Sequence, residues 1–318
     1  MFEARWPICA CSANRRMIQP SQNCMAVAYA ALVFAVFGVS WSAIFIRWAA
    51  VPGPSSAFYR VSIAAAILVP WCGAALLTSE RFRARVHQMD WRTALLAVGG
   101  GAFFAIDLAL YNTAVLRTTA TSATLLGNNA PIVVGVGTWL VFRRRPHRAF
   151  WIGLALALAG AVIVVSDNAR RGEPGRGDPY GDLLALAASV FFAAYLLATE
   201  RVREQLSTLA FSTLAIVGSA LTLLVVCILI DAPLSGFSTR TWGALLGLGL
   251  VSQLAAYFAL AYALGHLPAT TTSVGLLAQV PLTALLAMPL LGEPVRAAQG
   301  IGAALVLTGI YIVIRRKG

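Results

Sequence analysis

The chain has 318 residues, of which 59% are hydrophobic and only 11% charged, with a formal net charge of +12. A soluble domain carries about a quarter charged residues, so this composition excludes an ordinary water-soluble fold. The basic excess does not indicate nucleic acid, because the arginines sit in short clusters between long apolar blocks, where the positive-inside rule places them.

Taken in order, residues 1–25 are polar and basic at the start, and no small-residue cleavage site follows the first apolar block. They read as a cytoplasmic tail rather than a signal peptide. Ten apolar segments follow, at 26–46, 55–77, 93–116, 119–142, 149–166, 181–199, 208–230, 241–264, 268–291 and 297–314. Each is long enough, at about 1.5 Å per residue, to cross roughly 30 Å of hydrocarbon, the shorter ones only just. Residues 167–180 form a Gly/Pro/Arg-rich external linker, and 315–318 a basic C-terminal tail. With the N-terminus inside, cytoplasmic segments hold 16 Arg and Lys residues and external ones 7. That bias predicts both termini in the cytoplasm of a plasma (bacterial inner) membrane protein.

The chain repeats itself. Residues 268–314 (PATTTSVGLLAQVPLTALLAMPLLGEPVRAAQGIGAALVLTGIYIVI) have a weaker copy at 119–165. Pro131 answers Pro281, Asn129 answers Gln279, Gly153 answers Gly302 and Gly160 answers Gly309. Trp41 to Arg47 likewise aligns with Tyr195 to Arg201. Each half, 26–166 and 181–314, therefore holds five spans. Because five is odd, the second half enters the membrane inverted, an architecture typical of secondary transporters. The predicted fold is all-α and integral to the membrane: ten helices in two inverted five-helix repeats.

Polar residues inside the spans are the candidate site. Asp107 is the one acidic residue deep in a span, and a charge there costs about 2.5–3.5 kcal/mol on insertion scales, so it should face protein or water. Gly100, Phe103, Asp107 and Tyr111 fall on one helical face and suggest a cavity stripe. Asp107 reads as a coupling or substrate-ammonium site, or as a structural charge pair with Arg60. Arg60 in turn is a structural residue or a substrate-carboxylate contact. Asn128, Asn129 and Pro131 interrupt the fourth span, and Gln279 and Pro281 the ninth. Proline frees a backbone carbonyl, and matched breaks in two halves are a sequence pointer to a midplane site. Trp41, Tyr195, Gln253 and Tyr257 complete the shortlist as aromatic and amide walls, with packing or interfacial anchoring as the alternative. The glycine faces Gly153/Gly160 and Gly302/Gly309 predict close helix packing, within or between subunits, which leaves a homodimer open.

The five cysteines, Cys9, Cys11, Cys24, Cys72 and Cys227, are odd in number and scattered, so neither a disulfide framework nor a metal site is predicted. The three histidines, His87, His147 and His266, lie in cytoplasmic basic clusters or at a helix end. No HExxH, GxSxG or glycine-rich phosphate motif occurs, so no enzyme activity and no cofactor are predicted.

This layout, with LLGEP at 290–294 followed by QGIGAALVLTGIYIVI, resembles the drug/metabolite transporter superfamily, EamA-like branch. Phe58-Tyr59-Arg60, the Pro131 and Pro281 helices, and GDLLALAASVFFAAYLLATER at 181–201 carry the rest of the resemblance. One departure is that Arg143-Arg144-Arg145 stands in the first half where the second has Gly292-Glu293-Pro294. The resemblance implies a central cavity lined by spans 1, 3, 4, 6, 8 and 9, and export of small metabolites, amino acids or drugs. The expected function is thus secondary transport of a small amphiphilic solute through the bilayer, with proton or counter-substrate coupling left open. A nucleotide-sugar or metabolite exchanger or importer, and a non-transport scaffold, are the alternatives.

Overall fold

The computed structural model describes residues 22–117, 123, 126–143, 145–169, 179–291 and 297–315. The tail before Gln22, residue 144, the linker at 170–178 and the Gly292-Glu293-Pro294 corner lie outside the described residues. Every described element is helical: α1 (Gln22–Ser40), α2 (Ser42–Ala49), α3 (Gly53–Thr78), α4 (Glu80–His87), α5 (Trp91–Arg117), α6 (Ala130–Phe142) and α7 (Arg148–Ala169) precede the linker. After it come α8 (Pro179–Arg203), α9 (Thr208–Leu229), α10 (Thr239–Gly247), a π-helical stretch (Leu248–Ala255), α11 (Ala256–Leu264), α12 (Ala269–Leu276), α13 (Gln279–Leu291) and α14 (Ala297–Arg315). Among these, seven helical stretches are long and apolar enough to cross a membrane by length and composition. Three shorter apolar helices accompany them, Ala130–Leu140, Arg148–Gly160 and Gly300–Arg315.

The apolar surface is on the outside. Leu77, Val33, Trp91 and Leu140 are all more than 65% exposed, an arrangement that water would penalise and lipid does not. The interior is built from small residues instead, with Ala28, Ala35, Ala57, Ala64, Ala97 and Ala105 fully buried. Since lipid tails are as apolar as leucine, helices in a bilayer associate by close approach at small residues. The pair α7 and α14 is the clearest case. A Cβ built on Gly160 would meet the Gly302 carbonyl oxygen at 2.5 Å, and one on Gly153 would meet the Gly309 oxygen at 2.5 Å. The two glycine faces therefore pack on each other within one chain.

Helices of one half pack mainly on helices of the other: α5 on α8 and α9, α1 on α11, α6 on α8, and α3 on α9 and the π stretch. The core thus runs through the interface between the halves. Two features lie outside the sequence reading. The basic segment after the second span is helical (α4), its N-terminus capped by Ser79 accepting from the Phe82 amide at 3.3 Å. Arg83 on it donates back to the carbonyls of Leu76 and Leu77, at 2.9 and 3.0 Å, closing the end of α3. The cysteine expectation needs correcting as well: Cys24 is disulfide-bonded, whereas Cys72 and Cys227 are free thiols. Counting an odd number of cysteines cannot exclude a single bridge.

Candidate functional site

Both proline-marked spans are broken where expected. Asn128 and Asn129 form a turn before α6, so that Pro131 falls in the first helical turn. Leu277 and Ala278 form the matching turn between α12 and α13, placing Pro281 near the start of α13. A proline there costs nothing, because first-turn amides have no intrahelical acceptor to lose. The two breaks meet. Gln279 Nε2 donates to Asn128 Oδ1 at 2.7 Å, joining the halves side chain to side chain. Asn129, the repeat partner of Gln279, turns its Nδ2 to the Leu126 carbonyl at 2.9 Å.

This bridge borders a cavity of about 60 Å³ lined by residues of both halves. Arg60, Asp107, Tyr111, Asn128, Tyr257 and Gln279 all line it, joined by Ser42, Phe192 and Thr283, which the sequence did not single out. Its walls come from the first, third, fourth, sixth, eighth and ninth apolar segments, with Arg60 reaching in from the second. The first segment contributes because it bends at Trp41, between α1 and α2. Ser40 satisfies its own side chain on the Val36 carbonyl (2.7 Å), while its carbonyl accepts from Thr283 Oγ1 at 3.1 Å.

Arg60 is 2% exposed and held in place. Its Nε donates to Gln253 Oε1 at 2.7 Å and its Nη1 to Ser42 Oγ at 2.9 Å. The guanidinium lies 5.2 Å from the centre of the Tyr257 ring, a cation–π distance. Gln253 reaches Arg60 from the π-helical stretch, whose wider turn shifts side-chain register relative to an α-helix and is a frequent mark of functional positions. Arg60 and Asp107 share the cavity, but no ion pair joins them. Arg60 is thus held on neutral partners, and Asp107, 8% exposed on the wall of the same cavity, attracts it electrostatically without a direct ion pair.

Four shortlisted residues stand off the main cavity. Trp41 stacks on Phe45 with ring centres 5.7 Å apart, and Asn129 is turned to its own backbone. Tyr195 and Gln253 line a second, smaller cavity of about 20 Å³, together with Phe104, Ser212 and Ser219. Tyr257 borders both cavities. Tyr195, Phe104 and Tyr257 form the centre of an aromatic layer, with Phe104 4.6 Å from each tyrosine ring centre. Phe103, placed on the cavity stripe by the sequence, is 41% exposed. The inward face of α5 is Phe104, Leu108 and Tyr111 with Asp107, one position round the helix.

At one end of α8, Arg203 donates to the Ala261 carbonyl (2.9 Å), to Thr208 Oγ1 (2.7 Å) and to the Leu206 carbonyl. Beside it, Glu200 Oε2 accepts the Ala269 amide at 3.1 Å, capping the start of α12. Among the described residues no group of His, Cys, Asp and Glu could hold a metal ion.

Comparison with known proteins agrees with this architecture. The model of the EamA-like transporter family matches twice, over residues 25–166 and 179–315. A relative from Bacillus subtilis (strain 168), named uncharacterized transporter YwfM, is 31% identical over 76% of this chain and 80% of its own. An uncharacterized transporter of Archaeoglobus fulgidus is 30% identical over 59% of this chain and 65% of its own. A solved crystal structure superposes with a TM-score of 0.71 at 19% identity, covering 92% of this chain and 98% of that one. At that identity the likeness is one of fold.

Proposed function

The chain belongs to the EamA-like transporter family, and from that membership we propose that it is a secondary-active transporter exporting a small amphiphilic metabolite, such as an amino acid, by alternating access. Ten spanning helices in two inverted five-helix repeats, with both termini cytoplasmic in the plasma (bacterial inner) membrane, are part of this reading. The observation that carries it is the meeting of two interrupted helices, one from each half, at an interior cavity, with Gln279 hydrogen-bonded to Asn128 across the junction. Interrupted helices at midplane, facing each other across a repeat interface, suit a site that opens alternately to either side as the halves rock.

On this orientation the aromatic layer of Phe104, Tyr195 and Tyr257 lies on the cytoplasmic side of the cavity. The Arg203 and Glu200 contacts lie further in, at the cytoplasmic ends of the helices. Such an arrangement corresponds to a state closed toward the cytoplasm, from which solute would leave outward.

The test is comparison of the growth medium of cells overproducing the protein with that of an empty-vector strain. A compound that accumulates outside, and stops doing so with an Asn128→Ala variant present at normal membrane levels, supports export through this cavity. If nothing accumulates while the protein is in the membrane, export is rejected, and uptake or counter-substrate exchange becomes the reading to test in proteoliposomes.

A further inference from the structure

Resting on the transporter reading above, we propose that the cavity lined by both halves is a two-pole site for a small zwitterion, with Arg60 binding its carboxylate and Asp107 its ammonium group. Arg60 is 2% exposed, and only part of its five-donor guanidinium is used: Nε and Nη1 go to Gln253 and Ser42, while Nη2 has no hydrogen-bond partner among the described residues. Asp107, 8% exposed on the wall of the same cavity, makes no hydrogen bond or ion pair among the described residues. Buried charges are ordinarily paired, because an unpaired one forfeits its hydration. These two share one cavity and attract each other across it, but no direct ion pair joins them.

The formal charges of the cavity cancel. A simple cation would satisfy Asp107 and leave Arg60 uncompensated beside a new positive charge; a simple anion would do the reverse. A solute carrying both charges completes both residues and keeps the interior neutral. That asymmetry rejects singly charged competitors as well as attracting the zwitterion.

Size narrows the class further. At about 10–15 Å³ per water, the cavity of about 60 Å³ holds roughly four to six waters, which occupy on the order of 120–180 Å³ as liquid. This matches an amino acid with a short side chain and falls below the roughly 300–1,000 Å³ of pockets for drug-sized ligands. Leu108, Phe192 and Leu276 supply the apolar wall that such a side chain would meet.

The experiment uses the purified full-length protein in lipid nanodiscs and measures binding of L-alanine, L-alaninamide (ammonium only) and N-acetyl-L-alanine (carboxylate only) by calorimetry. L-Alanine is expected to bind at least tenfold more tightly than either analogue. In Arg60→Gln, alanine should weaken at least tenfold while alaninamide changes less than about twofold, and Asp107→Asn should give the mirror result with N-acetyl-alanine. Equal affinity for alanine and either analogue, or no binding of any of the three, overturns the two-pole site; the wild-type comparison decides this even if a variant fails to fold. Proteoliposome transport separates the two readings. Movement of a simple cation or neutral solute in preference to zwitterions sinks the two-pole site and leaves the transporter standing. Movement of no solute class at all removes both.

Discussion

Adding one methyl group at Gly160 isolates the contact that holds α7 against α14. The new Cβ would lie 2.5 Å from the Gly302 carbonyl oxygen, 2.8 Å from the Leu305 Cβ and 2.8 Å from the Val306 nitrogen. Two of these neighbours are backbone atoms, so no rotamer change can relieve the clash. To reach ordinary contact at 3.4 Å the helices must separate by close to 1 Å along the seam, and a gap of that order forfeits a quarter to a half of each dispersion well. Overpacking of this kind costs about 1–3 kcal/mol. Alanine also favours the helix over glycine by about 0.5–1 kcal/mol, which would mask part of the loss. Gly300→Ala, on the same pair of helices, has nothing within 4 Å of its new Cβ and gains that propensity without the clash. The difference between the two variants therefore reports the seam alone. At roughly 2–3 °C per kcal/mol for a chain of this size, Gly160→Ala should melt about 2–9 °C below Gly300→Ala. Midpoints of detergent-solubilised protein at one fixed heating rate are the measurement, because unfolding of such proteins is often irreversible. If the two variants melt within a degree of each other, the glycine-to-glycine approach is not what holds these helices together.

Gln279→Leu takes the donor from the buried Asn128 Oδ1, a cost of about 1–3 kcal/mol, so the melting midpoint should fall by a few degrees and proteoliposome transport several-fold; unchanged transport would discard the bridge as part of the site. Gln253→Leu leaves Arg60 Nε without an acceptor in a buried setting, a cost of about 1–3 kcal/mol. The KM of transport should rise with the elution profile intact, and an unchanged KM means Gln253 does not position the arginine. Arg203→Lys cannot reach the three acceptors that the guanidinium spans; a midpoint lowered by several degrees is expected, and none would show the clamp to be dispensable. Asp107→Asn should fold normally, since no ion pair is broken, and should flatten the pH dependence of transport. A profile identical to wild type ends any coupling role for Asp107.

Much of this protein is legible in the sequence because the bilayer leaves few solutions. Long apolar blocks must be helices, since the hydrocarbon satisfies no backbone group. Proline and amide residues recurring at matching places must interrupt them, and the breaks at Asn128–Asn129 and Leu277–Ala278 follow. The family motifs rest on the same residues. Side-chain direction is less legible. In a soluble helix the polar face marks the outside, but a membrane helix is apolar toward lipid and protein alike. Nothing in the pattern separates Phe103, which faces outward, from Phe104, at the centre of the aromatic layer. The π-helical stretch behind Gln253 has no sequence period to reveal it, and the choice of Asn128 over Asn129 as the partner of Gln279 depends on how the two breaks dock.

What the sequence determined by itself is the class of molecule: a helical membrane protein of two related halves, with charged and amide groups set in its spans at a cost that demands partners. What only the tertiary structure decided is who those partners are. Arg60 and Asp107 could have neutralised each other, and the sequence offered that pairing. Packing gives Arg60 hydrogen bonds to Gln253 of the other half and Ser42 of its own, and sets Asp107 on the wall of the same cavity with no direct ion pair between them, because contacts between residues 193 positions apart are set by how helices dock.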